Sequence, residues 1–403
     1  MAFRPPSRPL ATLALALLGW IGACAREPRN TTRAPASAPS PVPALSSLPV
    51  ASAAPSIAPS DARWVRESLI PVEVAGVRGA RRLALSEDGT WALTGGGDLF
   101  YWGLDATKYS DNANVADSGL PPPRIAQPAL VAHVHGVTDV SADEWACALV
   151  AGAATCFGLQ GNHFYGTIDR RHATSMGVSG TQILASYDCG CVLGADGSVT
   201  CWEQSPDEPL SARNLVVEPT RVDGLVGVRA ISGCGATLFA TMGDGTVREI
   251  QVSAAICKGR GCPPRPAAKR IAGLADVADV VGSSEGACAL RRDGTVACWD
   301  PESRGAAITP VPELSAVAQL AGRDGSYCAR LTDGSVRCWG SNAFGLLGDG
   351  TKIERPSPVV VPALTHVVDI AIGARHACAV IADSTVRCWG SNDSGQLGAK
   401  PTP

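Results

Sequence analysis

Apolar and polar positions alternate with a period of two in short runs, and helix-period spacing is absent between them, so the chain reads as strands joined by tight turns. The runs repeat. Cys328-Ala-Arg-Leu-Thr-Asp-Gly-Ser-Val-Arg-Cys-Trp-Gly340 returns about fifty residues on as Cys378-Ala-Val-Ile-Ala-Asp-Ser-Thr-Val-Arg-Cys-Trp-Gly390, each copy a strand, a turn and a strand. Seven such turns are expected, at Asp88-Gly89, Ala151-Gly152, Asp196-Gly197, Asp244-Gly245, Asp293-Gly294, Asp333-Gly334 and Asp383-Ser384. A second strand pair, announced by Pro and Val, completes each unit, as in the segments Pro71 to Val77, Pro219 to Ile231 and Pro358 to Gly373. A four-stranded antiparallel unit repeated seven times can close radially and leave only short edges. The expectation is an all-β, seven-bladed β-propeller over residues 63–403. The chain starts with the strand segment Pro71 to Val77 before any hairpin and stops soon after the last Trp-Gly, so the ring should close by mixing strands from both ends.

The last two copies carry a fuller string, Trp339-Gly340-Ser341-Asn342, Gly345, Leu347-Gly348 and Trp389-Gly390-Ser391-Asn392, Gly395-Gln396-Leu397-Gly398. This string resembles the repeat of the regulator of chromosome condensation family. The resemblance runs from about Ile70 to Gly398 and fades toward the N-terminus, where Phe157-Gly158 replaces Trp-Gly and the fourth copy ends Arg248-Glu249-Ile250. It implies the propeller and a structural role for His376 near its hairpin, but no single activity. The same superfamily includes a bacterial β-lactamase inhibitory propeller and, in eukaryotes, guanine-nucleotide exchange factors for a small GTPase.

Arg4 and Arg8 precede an apolar run from Leu10 to Ile21, too short to span a bilayer and typical of a signal peptide, here residues 1–23. The run ends in Ile21-Gly22-Ala23-Cys24, which resembles a bacterial lipobox and marks Cys24 for lipidation. Residues 24–62 are rich in Ala, Pro and Ser and have no periodicity that could bury a core. Such a leash stays extended and can hold a domain up to ~100 Å from a surface. An exported monomer, lipid-anchored to the bacterial membrane at the outer membrane or cell surface, is therefore expected. The formal net charge of −3 supplies no basic field, which argues against nucleic acid as a partner.

Fifteen cysteines in an exported chain invite a disulfide reading. If Arg292-Asp293-Gly294 is a three-residue loop with a left-handed Gly294, Cys288 opposes Cys298 in a non-hydrogen-bonded pair, where the Cα atoms approach most closely. The same count pairs Cys191 with Cys201, Cys328 with Cys338 and Cys378 with Cys388. Cys147 and Cys156 keep the register through a two-residue loop at Ala151-Gly152. Zinc ligands need closer spacing on tight turns, so bridges are expected rather than metal, with buried thiols as the alternative. Cys257 and Cys262 should close a loop on themselves, and the pairing of Cys189 and Cys234 stays open.

Residue patterns that would carry chemistry are sparse. His133-Val-His135 places two rings on one side of a strand, but no third ligand accompanies them. Asp111-Asn-Ala-Asn-Val-Ala-Asp117 misses the calcium-loop spacing. No nucleophile elbow, phosphate loop or dinucleotide fingerprint occurs, so neither an enzyme nor a cofactor is expected. Long insertions at Leu104 to Gln127, Leu159 to Gly180 and Ser253 to Lys269 vary on a repeating frame, and binding concentrates on such loops. Tyr109, His163, Phe164, Tyr165 and Phe344 are the candidate contact residues. The expected function is a cell-envelope lipoprotein that presents its propeller to an unknown protein partner. The alternatives are an envelope polysaccharide lyase or hydrolase with acid–base residues at the ring's mouth, which convergent carboxylates there would favour, and, as the family resemblance implies, a regulator like the guanine-nucleotide exchange factors.

Overall fold

A computed structural model describes residues 67–104, 124–131, 134–143, 145–157, 174–186, 189–203, 218–234, 237–252, 255, 268–283, 286–301 and 307–398. They fall within one compact unit, Ala58–Pro403. Among the described residues the alternating runs form 28 strands in seven four-stranded antiparallel sheets. Blade 1 is β2 (Ala80–Leu85), β3 (Gly89–Thr94), β4 (Leu99–Leu104) and β5 (Arg124–Leu130). Blade 2 is β6 (Val137–Ala142), β7 (Ala146–Val150), β8 (Ala153–Phe157) and β9 (Thr174–Ser179). Blade 3 is β10 (Gln182–Ala185), β11 (Cys189–Leu193), β12 (Val199–Glu203) and β13 (Thr220–Arg221). Blade 4 is β14 (Val228–Cys234), β15 (Thr237–Met242), β16 (Val247–Gln251) and β17 (Lys269–Arg270). Blade 5 is β18 (Val277–Ser283), β19 (Gly286–Arg291), β20 (Val296–Trp299) and β21 (Thr309–Pro310). Blade 6 is β22 (Val317–Arg323), β23 (Ser326–Leu331), β24 (Val336–Gly340) and β25 (Arg355–Val360). Blade 7 is β26 (Val367–Ile372), β27 (His376–Ile381) and β28 (Val386–Ser391), completed by β1 (Glu67–Val74).

The inner strands β2, β6, β10, β14, β18, β22 and β26 each touch the next, and β26 touches β2, so the seven-bladed propeller is a closed ring. β1 comes from the N-terminal side and pairs with β28 from the C-terminal side, Val72 opposite Cys388 and Val74 opposite Val386. The expected mixing of the two ends is what closes the molecule. Among the described residues no helix is long and apolar enough to cross a membrane.

Six of the seven expected turns join the second and third strands of their blades. Asp88-Gly89 does not. It ends the loop between β2 and β3, and the turn of blade 1 is Gly95-Gly96-Gly97, where Gly97 has φ +82° and donates its amide to the Thr94 carbonyl at 3.1 Å. Asp88-Gly89 carries the dipeptide of most other turns but its glycine opens β3, whereas the left-handed conformation that the turn requires falls at Gly97. The standard turn is built by its side chains as well as its glycine. Asp293 Oδ1 accepts the Thr295 hydroxyl at 2.7 Å and the Thr295 amide at 2.9 Å. Two expected insertions are also shorter than read, because β5 and β9 occupy their C-terminal parts.

Five disulfides cross the hairpins, Cys147–Cys156, Cys191–Cys201, Cys288–Cys298, Cys328–Cys338 and Cys378–Cys388, with Cα separations of 4.0 to 4.1 Å. Cys24, Cys257 and Cys262 lie outside the described residues. Cys189 is buried with its Sγ 3.4 Å from Ser186 Oγ, and Cys234 ends β14.

Candidate functional site

Antiparallel order gives the ring two unlike faces. One carries the hairpin turns between second and third strands. The other, the loop face, carries the loops after the inner strands and those after the third strands, where the long insertions depart. On that face Phe344 is 38% exposed, and the Arg375 guanidinium lies 5.4 Å from its ring centroid. Glu87 Oε1 holds Arg375 Nε at 3.0 Å, so the cation is oriented over the ring by a neighbouring blade. Nearer the axis, Arg323 at the end of β22 reaches Asp143, which follows β6, in an ion pair that spans the mouth. Asp143 is almost fully buried there, and Asp324 flanks Arg323 at 3.5 Å.

Below the mouth runs a polar belt. The third position of six inner strands, and the first of the shorter β10, aligned by the same pairing to the neighbouring strand, holds Arg82, Asp139, Gln182, Ala230, Asp279, Gln319 and Asp369. Most of these side chains join blades. Asp139 Oδ2 accepts the Ile183 amide at 2.9 Å, Gln182 Oε1 the Ile231 amide at 2.9 Å, and Asp369 Oδ2 the Leu83 amide at 2.8 Å. Gln319 Nε2 donates to Asp369 Oδ1 at 2.8 Å, and Arg82 Nε sits 3.1 Å from Asp139 Oδ1. Enclosure raises the carboxyls of Asp139 and Asp369 above their ordinary value, against the lowering pull of these donors and of Arg82. Asp279 is different. Its Oδ1 accepts the amide of Val280 in its own strand at 2.8 Å, and burial pushes its pKa up to about 6. Asp279 is itself half-buried.

A third cluster seals the ring closure. His376 Nε2 lies 2.7 Å from Thr90 Oγ1, whose hydroxyl donates to the Gln396 carbonyl at 2.9 Å, so Nε2 carries the proton. Burial lowers the His376 pKa to about 3, and the ring stays neutral as a structural donor. The Gln396 carbonyl also accepts Trp102 Nε1 at 2.8 Å, just as the Leu346 carbonyl accepts Trp389 Nε1 at 2.7 Å. The Gly-x-Leu-Gly loop of one blade thus seats the Trp of the next. Asn342 and Asn392 brace these loops by accepting the Leu347 and Leu397 amides, each at 3.0 Å.

Of the candidate contact residues, Phe344 lies on the loop face, and Tyr109, His163, Phe164 and Tyr165 lie outside the described residues, as does His133. His135 is on the turn face, 3.4 Å from Asp98. Among the described residues no group of three or more His, Cys, Asp or Glu could hold a metal. A groove on the turn face lined by Asp276, Arg291, Arg292 and Asp293 converges on no chemistry, since Arg292 is held by the Gly243 carbonyl at 3.2 Å. The sequence reading missed the belt, although Val137-Thr-Asp-Val140, Val277-Ala-Asp-Val280, Val317-Ala-Gln-Leu320 and Val367-Val-Asp-Ile370 repeat a polar residue at one place. It also missed the Arg323–Asp143 pair, whose members are 180 residues apart.

Sequence profiles of the regulator of chromosome condensation (RCC1) repeat match residues 333–380 and 367–396. No curated protein sequence matches the chain significantly. Among solved structures, human WBSCR16 aligns with a TM-score of 0.59 at 16% identity, over 80% of this chain and 89% of its own. Prp20p of Saccharomyces cerevisiae, described by its binding to Gsp1p and histones, aligns with a TM-score of 0.52 at 15% identity, over 77% of this chain and 81% of its own. The same yeast protein has been solved with Kap60. At these identities the likeness is one of fold. With seven blades built on one unit, the chain is a seven-bladed propeller whose last two repeats, over residues 333–396, match the regulator of chromosome condensation repeat.

Proposed function

We propose that the chain is an exported, lipid-anchored envelope protein whose propeller is a non-catalytic scaffold, engaging a protein partner through its loop face. The observation that carries the binding reading is Phe344, solvent-facing and stacked under an arginine that a third side chain holds in place. Aromatic and Arg side chains are the residue types that dominate binding hot spots, and a pre-oriented pair loses little freedom on contact. Export is supported by five disulfides, which persist in oxidising compartments, and by the Ile21-Gly22-Ala23-Cys24 string. A photo-crosslinking residue at position 344 should trap a discrete protein in envelope fractions, and one at position 383 on the turn face should not. Equal labelling at both positions, or none, would remove the binding reading. Mass spectrometry of the mature N-terminus tests the anchor: Cys24→Ser should leave the chain unlipidated and released from membranes, and a mature N-terminus elsewhere would sink it.

The second reading is a polysaccharide hydrolase or lyase, and Asp279 favours it because a carboxyl near pH 6 can act as an acid or base at neutral pH. Against it, the other two belt carboxyls, Asp139 and Asp369, are already engaged by backbone amides of the next blade. Turnover of envelope polysaccharide that Asp279→Asn abolishes would establish the enzyme instead.

A further inference from the structure

Among the described residues, the loop face has an uneven supply of charge. Arg323 is taken by Asp143 and Asp324, Arg375 by Glu87, Arg355 by Asp349 and Lys352 by Glu67. Asp88 and Asp393 have only hydroxyls as side-chain partners: Asp88 Oδ1 accepts Ser394 Oγ at 2.7 Å, and Asp393 Oδ2 accepts Ser391 Oγ at 3.1 Å. The belt beneath adds three carboxyls, Asp139, Asp279 and Asp369, which share Arg82, with Arg81 also acting on Asp139 and Arg330 on Asp369. Negative potential is thus focused at the mouth. The turn face differs, because its exposed aspartates alternate with arginines, as where Arg221 lies 3.6 Å from Asp196 and Arg292 4.0 Å from Asp276.

Beside the charged mouth stands an apolar corner. Phe344, Ile353 and Ile70 are 38%, 60% and 52% exposed. They share one corner because the loop after β24 folds onto the start of β1. The Gly350 amide donates to the Leu69 carbonyl at 3.0 Å, and the Leu69 side chain packs against Gly345. Large exposed apolar side chains brought together beside a charged rim are the pattern of a docking surface rather than of scattered surface residues.

We infer that the loop face receives a cationic protein segment across blades 6, 7 and 1, with lysine or arginine side chains at Asp88 and Asp393 and an apolar side chain against Phe344 and Ile353. The inference rests on the scaffold reading and specifies its partner. Anionic polymers and anionic lipid surfaces are disfavoured by the same charges, while a polypeptide supplies both the cations and the apolar anchor in one strand.

The test uses the full chain and two fluorescent peptides, one alternating lysine with leucine and the other glutamate with leucine, read by anisotropy. The lysine peptide should bind in a salt-sensitive way and the glutamate peptide should not. The double variant Asp88→Asn/Asp393→Asn keeps the serine hydrogen bonds and should weaken binding about tenfold, and Phe344→Ser should do the same, at unchanged unfolding temperature. Asp293→Asn/Asp383→Asn on the turn face should leave binding unchanged. Equal losses from both faces, binding of the glutamate peptide, or preferential binding to phosphatidylglycerol vesicles would overturn the inference. A protein trapped at position 344 regardless of Asp88 and Asp393 would overturn it while the scaffold stands. Failure to trap any protein at position 344 overturns the scaffold reading itself.

Discussion

Asp279 illustrates how one side chain can work against the fold that contains it. Its carboxyl is held at about 6 against an ordinary 3.8, so the native state binds the proton more tightly than the unfolded chain does. Stability from this group is therefore full in acid and falls as pH rises from about 4 to about 6. Asp279→Asn should flatten that arm and raise stability at neutral pH, by on the order of 1–3 kcal/mol, in unfolding curves taken across this range. An unchanged pH profile would mean that channel water relieves the burial. Ala230, one blade earlier, leaves the Val280 amide to be served from within its own strand, whereas the matching amides of Ile183, Ile231 and Leu83 are served from the preceding blade. Ala230→Gln should supply the absent link and raise the denaturant midpoint, worth about 0.5–1.5 kcal/mol. At this scale the cysteine partners were legible because they share one hairpin and can be found by counting. The belt was hidden because each member finds its partner in another blade and its members differ in chemistry.

The hairpin is the element that sequence reads best. Its loop length fixes its register, so Ala151-Gly152 and Arg292-Asp293-Gly294 both deliver their cysteines face to face. Ser384 shows the tolerance of that rule, since it takes φ 68° where the other three-residue turns use Gly, and the Thr385 hydroxyl and amide bond Asp383 as elsewhere. Hydroxyl and amide donors of this kind hold Asp196, Asp244, Asp293, Asp333 and Asp383 below the usual carboxylate range. Blades 1 and 4 have no bridge at this place: blade 1 fills it with two rings, and blade 4 sets Phe239 opposite Glu249. Trp91 opposes Tyr101 with centroids 4.8 Å apart, and Phe239 meets Trp299 of the next blade edge-on at 5.8 Å. The bridge is thus one way among others of filling the middle of a blade. Replacing Cys288 and Cys298 together by Ala should lower stability by only ~1–3 kcal/mol and keep the fold, because the closed loop is short. Non-reducing peptide maps should recover five local pairs, and linkages between these hairpins would contradict the register.

For the whole ring, closure depends on a strand that belongs to the other end of the chain. Deleting residues 67–74 should expose the outer edge of β28 and lower the cooperative unfolding temperature, with oligomers forming through the bared edge. A truncated chain that unfolds like the full one would show that the β26–β2 contact and the Gln396 seat suffice. This closure was legible because the sequence has a strand too many at its start and one too few at its end. The shape of the loop face was not, since Phe344, Arg375 and Glu87 come from three blades and no local pattern announces their meeting.

The clasp is also a handle. Anything that tugs on the chain ahead of Glu67 delivers its load to β1, the strand that completes blade 7 from that side. A pull along the strand would stress the rungs from Glu67 to Val74 together, while a sideways pull would break them one at a time from Glu67. The tie between the Leu69 carbonyl and the Gly350 amide, with Lys352 gripping Glu67, stands at the end where such peeling starts. A partner seated on that corner would therefore act as a mechanical lock, and its departure would leave the molecule easier to unbuckle.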